Sequence, residues 1–105
     1  MSTKKIQILG SLNKSSARIG YVDLLASEWT IDEETGAYFQ VVEIEGVTEY
    51  SQVDLTPSIA QLAAFYDKDI GFVTENDGGE VTVYALGQKP QNDYTIQVTI
   101  TEVQL

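Results

Sequence analysis

The chain has 105 residues with no cysteine and no histidine, which excludes disulfides, thiolate chemistry and the usual general base near neutral pH. Sixteen acidic against six basic residues give a formal net charge of −10, so the bulk of the chain repels nucleic acid and anionic membrane surfaces. No apolar run is long enough to span a membrane, and no secretory signal is visible. We therefore expect one domain, made in the cytoplasm of its producing cell.

The basic residues are concentrated at the start of the chain. Residues 1–18 carry a charge of +4, whereas residues 19–105 carry −14. We predict a basic arm or edge strand over residues 1–20 and a single β-rich domain over residues 21–105. Lys4 and Lys5 are candidate contact residues, either on an arm that pairs with another subunit or on a segment that covers its own domain.

The stretch Val22–Val47 is predicted to form a hairpin, in which two β-prone runs pair with each other and are joined by an acidic turn. The first run, Ile19–Trp29, would bury its even-numbered residues. The turn contains Asp32, Glu33 and Glu34 followed by a glycine. Its carboxylates lack the alternating spacing of a calcium loop, so a solvated turn is expected and no metal site.

The second run, residues 38–45, alternates between two faces. Tyr38, Val42 and Ile44 would face the core, with Gln40 among them bonded to a neighbouring loop. The opposite, outward face is the candidate contact surface of the domain, and its members are Phe39, Val41, Glu43 and Glu45.

One helix is predicted near residues 57–67. Thr56 would be its N-cap and Pro57 its first residue. Apolar side chains recur at helical spacing and are expected to lie against a sheet. They are Ile59, Leu62, Ala63 and Tyr66.

Two further features complete the predicted sheet. A hairpin joins Ile70–Thr74 to Glu80–Leu86 through a turn rich in Asn, Asp and Gly. Residues 94–101 alternate almost without fault and should form a long strand deep in the sheet. The fold class is mainly β (α+β), an antiparallel β-sandwich-like domain with one short helix.

No catalytic arrangement is visible in the sequence. Without His or Cys only carboxylate pairs remain, and these fall mostly in turns or on outward strand faces. We predict no enzyme, no catalytic residue and no cofactor. Aromatic residues could form a platform for a sugar or peptide, or could be core and hairpin residues. They are Tyr21, Trp29, Phe39, Tyr50 and Tyr84.

The spacing of apolar residues over positions 22–103 resembles a small β-rich domain that recurs in tail- and fibre-region structural proteins of phages and prophages of Gram-positive bacteria. The similarity is carried by Leu24-x-Ala26-x-x-Trp29-Thr30, by Tyr38-x-Gln40-x-Val42-x-Ile44-x-Gly46-Val47-Thr48, and by the stretches Val53–Leu55, Val81–Ala85, Lys89–Pro90 and Ile96–Val98. This chain departs from the pattern at Phe39 and Glu43, where small polar residues are usual. The resemblance implies localisation in a virion and no defined activity.

The leading hypothesis is a non-enzymatic phage or prophage structural or accessory protein associated with a tail, fibre or baseplate. It would act through self-assembly, as a homo-oligomer, or through contacts with virion proteins, and without nucleic acid or membrane partners. One alternative is a module that binds a host-surface glycan. The other is an acidic inhibitor that mimics nucleic acid, which the clustering of carboxylates in turns disfavours.

Overall fold

The computed structural model describes residues 15–103, which form two antiparallel sheets and one helix. The elements in chain order are β1 (Ser15–Leu24), a 3₁₀ turn (Ala26–Glu28), β2 (Thr30–Ile31), β3 (Tyr38–Val42), β4 (Ser51–Leu55), α1 (Ile59–Asp67), β5 (Ile70–Asp77), β6 (Glu80–Gly87) and β7 (Tyr94–Val103). One sheet has the strand order β1-β7-β4 and the other β2-β3-β6-β5. The prediction of a mainly β, α+β domain with sandwich-like sheets is confirmed.

The two sheets share one apolar core. The longer strands alternate between more and less buried residues, because successive side chains point to opposite faces of a sheet. The central strand β7 buries Ile96, Val98 and Ile100, and the facing strand β6 buries Val81 and Val83. The long strand predicted over residues 94–101 therefore lies where the alternation placed it.

The pairing predicted within Val22–Val47 is only partly correct. β1 does not pair with β3 but with β7 along its whole length, from Ser15 opposite Val103 to Leu24 opposite Tyr94. The chain then passes through the 3₁₀ turn into the other sheet, where β2 pairs with β3 around the acidic turn. The inward direction of Val22 and Leu24 is confirmed, since that direction follows from local alternation and pairing does not.

Two tight turns have the chemistry that the sequence indicates. Asp32 accepts hydrogen bonds from the Glu34 backbone N–H (3.1 Å) and from the Thr35 hydroxyl (3.0 Å). The β5–β6 hairpin closes through Gly78 and Gly79, both with positive φ (66° and 102°). A two-residue turn with positive φ at both positions matches the twist of the strands that it joins.

The predicted orientation of α1 is wrong. The helix begins after Ser58, whose side chain accepts from the Gln61 backbone N–H in a capping box, while Thr56 continues the pairing with β7 through Gln97. The Gln61 side chain also donates to the Thr95 carbonyl at 2.9 Å, and Phe65 is the buried residue of the helix. These contacts orient the helix so that the stripe of apolar side chains predicted to face the sheet points outward instead.

The stripe residues are thus exposed to solvent: they are Ile59, Leu62, Ala63 and Tyr66. The division predicted between residues 20 and 21 falls inside β1, an edge strand of the three-stranded sheet. Lys4 and Lys5, the two predicted contact residues of the basic arm, lie outside the described residues.

Candidate contact surface

The outward face of the four-stranded sheet carries a contiguous set of apolar side chains. Cross-strand pairing places Phe39 opposite Tyr84 and Tyr84 opposite Val73, while Val41 lies opposite Thr82. Leu86 follows two residues after Tyr84 on the same face. We call these five apolar residues the sheet-face patch: Phe39, Val41, Val73, Tyr84 and Leu86.

An aromatic pair lies at the centre of the patch. The rings of Phe39 and Tyr84 are 6.3 Å apart at an interplanar angle of 45°, within the range of favourable aromatic pairs. Both side chains are half-buried, whereas Val41, Val73 and Leu86 are exposed, Val41 to 54%. Gly71 lies opposite Leu86, and no heavy atom comes within 4 Å of the position that a Cβ would occupy there. The face is therefore flat and open beside Leu86.

The patch borders acidic side chains. Glu75 lies on the same face of β5, and its Oε1 accepts a hydrogen bond from the Tyr84 hydroxyl at 3.3 Å. Burial raises the pKa of the Tyr84 phenol above its ordinary value, and the charges of Glu75 and Asp32 raise it further. Each negative charge disfavours formation of the phenolate. Tyr84 is thus a neutral hydrogen-bond donor whose apolar ring is bordered by negatively charged side chains.

The structure brings together only some of the predicted contact residues. Phe39 and Val41 lie within the sheet-face patch, and Glu43 follows directly after the end of β3. Glu43 and Glu45 line a depression of about 650 Å³ together with Val41 and Glu80. Glu45 is also held from the β1 side, where its carbonyl accepts from the Arg18 guanidinium at 3.3 Å. Glu45 therefore lies at the margin of the sheet-face patch.

Sequence patterns alone do not place Val73, Tyr84 and Leu86 on the same surface as Phe39. Alternation in β6 already puts Tyr84 on the face opposite Val83 and Ala85. What alternation cannot supply is the lateral order of strands, since β6 lies between β3 and β5. The pairing of β6 with β5 follows from the predicted hairpin, so the pairing of β6 with β3 was the missing piece of information.

The aromatic platform considered from the sequence does not form. Trp29 belongs to the core and stacks on Phe72, with ring centroids 6.0 Å apart. Tyr21 lies on the three-stranded sheet, and Tyr50 lies in the segment before β4. Of the five aromatic residues considered, the structure brings only Phe39 and Tyr84 into contact.

A polar cluster joins the segment before β4 to β7. Glu102 accepts hydrogen bonds from the hydroxyls of Thr48 and Ser51, the latter at 3.1 Å, and so fastens the segment before β4 to β7. Within residues 15–103, no group of three or more acidic, His or Cys side chains is placed to hold a metal ion. The helix that the structure describes is too short to cross a membrane.

Comparisons of the chain with models of protein families, with curated proteins and with solved structures found no match.

Proposed function

We propose that this chain is a non-enzymatic domain that acts by protein–protein contact, and that the sheet-face patch binds its partner. The observation that carries the proposal is the Phe39–Tyr84 pair, flanked on one flat sheet by exposed aliphatic side chains. Contiguous exposed apolar patches with a polar rim mark interaction sites in soluble proteins. Aromatic residues at the centre of such a patch carry much of the binding energy when they are desolvated.

The border of the patch indicates the chemistry of the partner. Glu43 and Glu80 line a depression together with Val41, and Glu75 accepts a hydrogen bond from Tyr84. The described residues carry a formal charge of −13 from three basic and sixteen acidic side chains. A partner surface with an apolar centre and a basic rim complements this arrangement and would associate faster at low ionic strength. A basic rim also discriminates against acidic surfaces, including copies of this same patch.

The setting proposed for this contact is a phage or prophage virion, in a tail, fibre or baseplate. This part of the proposal is supported by the spacing of apolar residues over positions 22–103, which resembles small domains of tail- and fibre-region proteins. The protein would be made in the cytoplasm of the bacterial host and then join the particle through the sheet-face patch.

Sedimentation of particles from the producing bacterium tests the proposal. The wild-type chain should co-sediment with virion particles, and the double variant Val41→Asp/Val73→Asp should remain in the supernatant. Both positions are exposed on the patch, so the variant should keep its fold, which thermal unfolding monitors. Tyr21→Asp, at an exposed position of the other sheet, is the matched control and should co-sediment like the wild type.

Retention of the folded double variant on particles would exclude the patch as the binding surface. Absence of the wild-type chain from particles would contradict the virion setting. Binding of the wild-type chain to a glycan array, lost on Phe39→Ala with the fold intact, would favour the glycan-binding alternative over a protein partner.

A further inference from the structure

A second apolar surface lies between α1 and β5. It is a groove of about 450 Å³ whose wall on the helix side is formed by Leu62 and Tyr66. Phe65 and Phe72 also line it, in edge-to-face contact with ring centroids 4.9 Å apart. Gly71 lines the groove on the strand side. The groove is large enough to take several aliphatic side chains.

The helix residues of the groove are apolar but uncovered. Leu62 is 48% exposed and Tyr66 is 88% exposed. They belong to the stripe whose helical spacing predicts burial, and the capping box at Ser58 and the burial of Phe65 turn that stripe away from the core. An apolar stripe that its own domain leaves exposed favours contact with another chain.

Acidic side chains adjoin the groove at one end. Tyr66, Ile70 and Gly71 also line a second depression of about 580 Å³, whose remaining lining residues are Asp67 and Asp69. The intervening Lys68 does not line this depression. An occupant that fits both depressions must therefore combine aliphatic side chains with neighbouring positive charges.

The chain contains such a segment within residues 4–9, with the sequence Lys-Lys-Ile-Gln-Ile-Leu. We propose that Lys4–Leu9 of a second copy binds in the groove, with Ile6 and Ile8 against Leu62 and Tyr66 and the two lysines near Asp67 and Asp69. Ile6 and Ile8 share one face of an extended chain. β5 is an edge strand of its sheet, so it can pair with an added strand.

The opposite charges of the two parts of the chain favour this contact. Residues 1–14 contain three basic and no acidic residues, whereas the described residues carry −13. Electrostatic attraction between such segments accelerates association and weakens as salt is added.

The position of Ser15 indicates that the segment comes from another copy. The Gln61 side chain donates to the Thr95 carbonyl, and Thr95 lies opposite Asp23, so α1 lies at the level of Asp23 along β1. Eight residues of strand separate Ser15 from Asp23, about 27 Å at 3.4 Å per residue. Ile8 precedes Ser15 by seven residues, and this stretch spans at most about 25 Å. Ile8 of the same chain therefore falls short of the helix along the strand axis, before the lateral distance from β1 to the helix is added.

A contact of this kind joins different surfaces of two copies. Reciprocal exchange of two arms closes a two-fold dimer, whereas a one-way, head-to-tail contact produces a ring or a linear chain of subunits. The groove and the sheet-face patch use different residues, so self-association and partner binding can fail independently.

Sedimentation velocity of the full chain tests the proposal. The wild-type chain should self-associate as concentration rises, and added salt should reverse the association. The arm variant Ile8→Asp and the groove variant Leu62→Asp/Tyr66→Asp should each stay monomeric. An equimolar mixture of the two should form a 1:1 dimer, because the intact arm of one enters the intact groove of the other. Ile59→Asp, at a position of the same helix that is 81% exposed and outside the groove, is the matched control and should associate like the wild type.

Three results would overturn the proposal. The wild-type chain could stay monomeric at all concentrations, which would leave the groove to a foreign partner. The two variants could fail to form a dimer when mixed although both are folded by thermal unfolding. The groove variant could dissociate while the arm variant does not, which would assign the groove to another part of the second copy. Val41→Asp/Val73→Asp should self-associate normally, so failure here is distinct from failure of the patch.

Discussion

Gln40 offers the sharpest test of how the two sheets are joined at the corner after β1. It is a polar side chain only 6% exposed, on the inward face of β3. Its Oε1 accepts from the Leu25 N–H at 3.2 Å, and its Nε2 donates to the Leu25 carbonyl at 3.1 Å. The carbonyl also accepts from the Glu28 N–H at 3.0 Å, whereas the structure gives the Leu25 N–H no other acceptor among the described residues.

The magnitude of the effect of Gln40→Leu follows from these bonds. Loss of the only acceptor of a partly buried N–H costs about 1–3 kcal/mol, and the bond to the carbonyl, which keeps its other donor, contributes about 1 kcal/mol more. Burial of the leucine side chain offsets part of this. We expect a net loss of about 2 kcal/mol, which corresponds to a fall in Tm of roughly 8–16 °C for a domain of this size.

Urea unfolding followed by the fluorescence of the buried Trp29 measures this loss. The m-value should stay constant while the midpoint falls, because the same surface is exposed on unfolding. Gln91→Leu, the same change at an exposed position of the loop before β7, should alter the free energy of unfolding by less than about 0.5 kcal/mol. Equal effects of the two substitutions would refute the view that the hydrogen bonds of Gln40 to Leu25 stabilise the chain segment that joins the two sheets.

Gln40→Glu adds a pH dependence to the same test. Burial raises the pKa of the introduced carboxyl above its ordinary value, so the folded variant binds a proton more tightly than the unfolded one. Below the ordinary pKa the protonated carboxyl can still donate to Leu25, and the variant should be close to the wild type in stability. As pH rises through the raised pKa, this stability is lost. A difference between the variant and the wild type that does not grow with pH would contradict the assignment.

Three further predictions concern the core and the sheet-face patch. Val83→Ala should lower the free energy of unfolding by about 2–3 kcal/mol through lost burial and a cavity, whereas Val73→Ala on the neighbouring strand should change it by less than about 0.5 kcal/mol in the same urea assay. Tyr94→Phe removes a buried hydroxyl that has no hydrogen-bond partner among residues 15–103, so stability should stay equal or rise by up to about 2 kcal/mol, and a loss above about 1 kcal/mol would reveal a partner. Glu75→Gln should lower the pKa of Tyr84 towards its ordinary value without reaching it, because the contribution of burial remains; NMR titration of labelled tyrosine measures this, and an unchanged pKa would contradict the role of Glu75.

Features of the fold that depend on neighbouring residues in the chain were predictable from the sequence. Alternation correctly gives the inward faces of β1, β3 and β7, and the glycine pair gives the β5–β6 turn. The inward position of Gln40 and its need for a bond to a nearby loop were also evident, because a polar residue on an apolar face must be paired. These features are local, so a single sequence contains them.

Strand partners and helix orientation were not predictable in the same way. β1 lies opposite β7, seventy residues or more away along the chain, and no turn chemistry indicates such a pairing. For the same reason the extent of the sheet-face patch was missed, since Val73 and Tyr84 join Phe39 only through the lateral order of strands.

The outward stripe of α1 shows what a periodic pattern can and cannot predict. Helical spacing of Ile59, Leu62 and Tyr66 indicates a surface that avoids water, but it does not name the surface that covers it. Within the domain, the bonds of Gln61 and the packing of Phe65 decide the rotation of the helix and leave the stripe outside. The unfavourable exposure of Leu62 and Tyr66 is relieved when another chain covers them, and the proposed arm-and-groove contact supplies an aliphatic segment of opposite charge from a second copy. Helical spacing of apolar residues, which predicts a core-facing surface in a monomer, is then consistent with an interface between two copies.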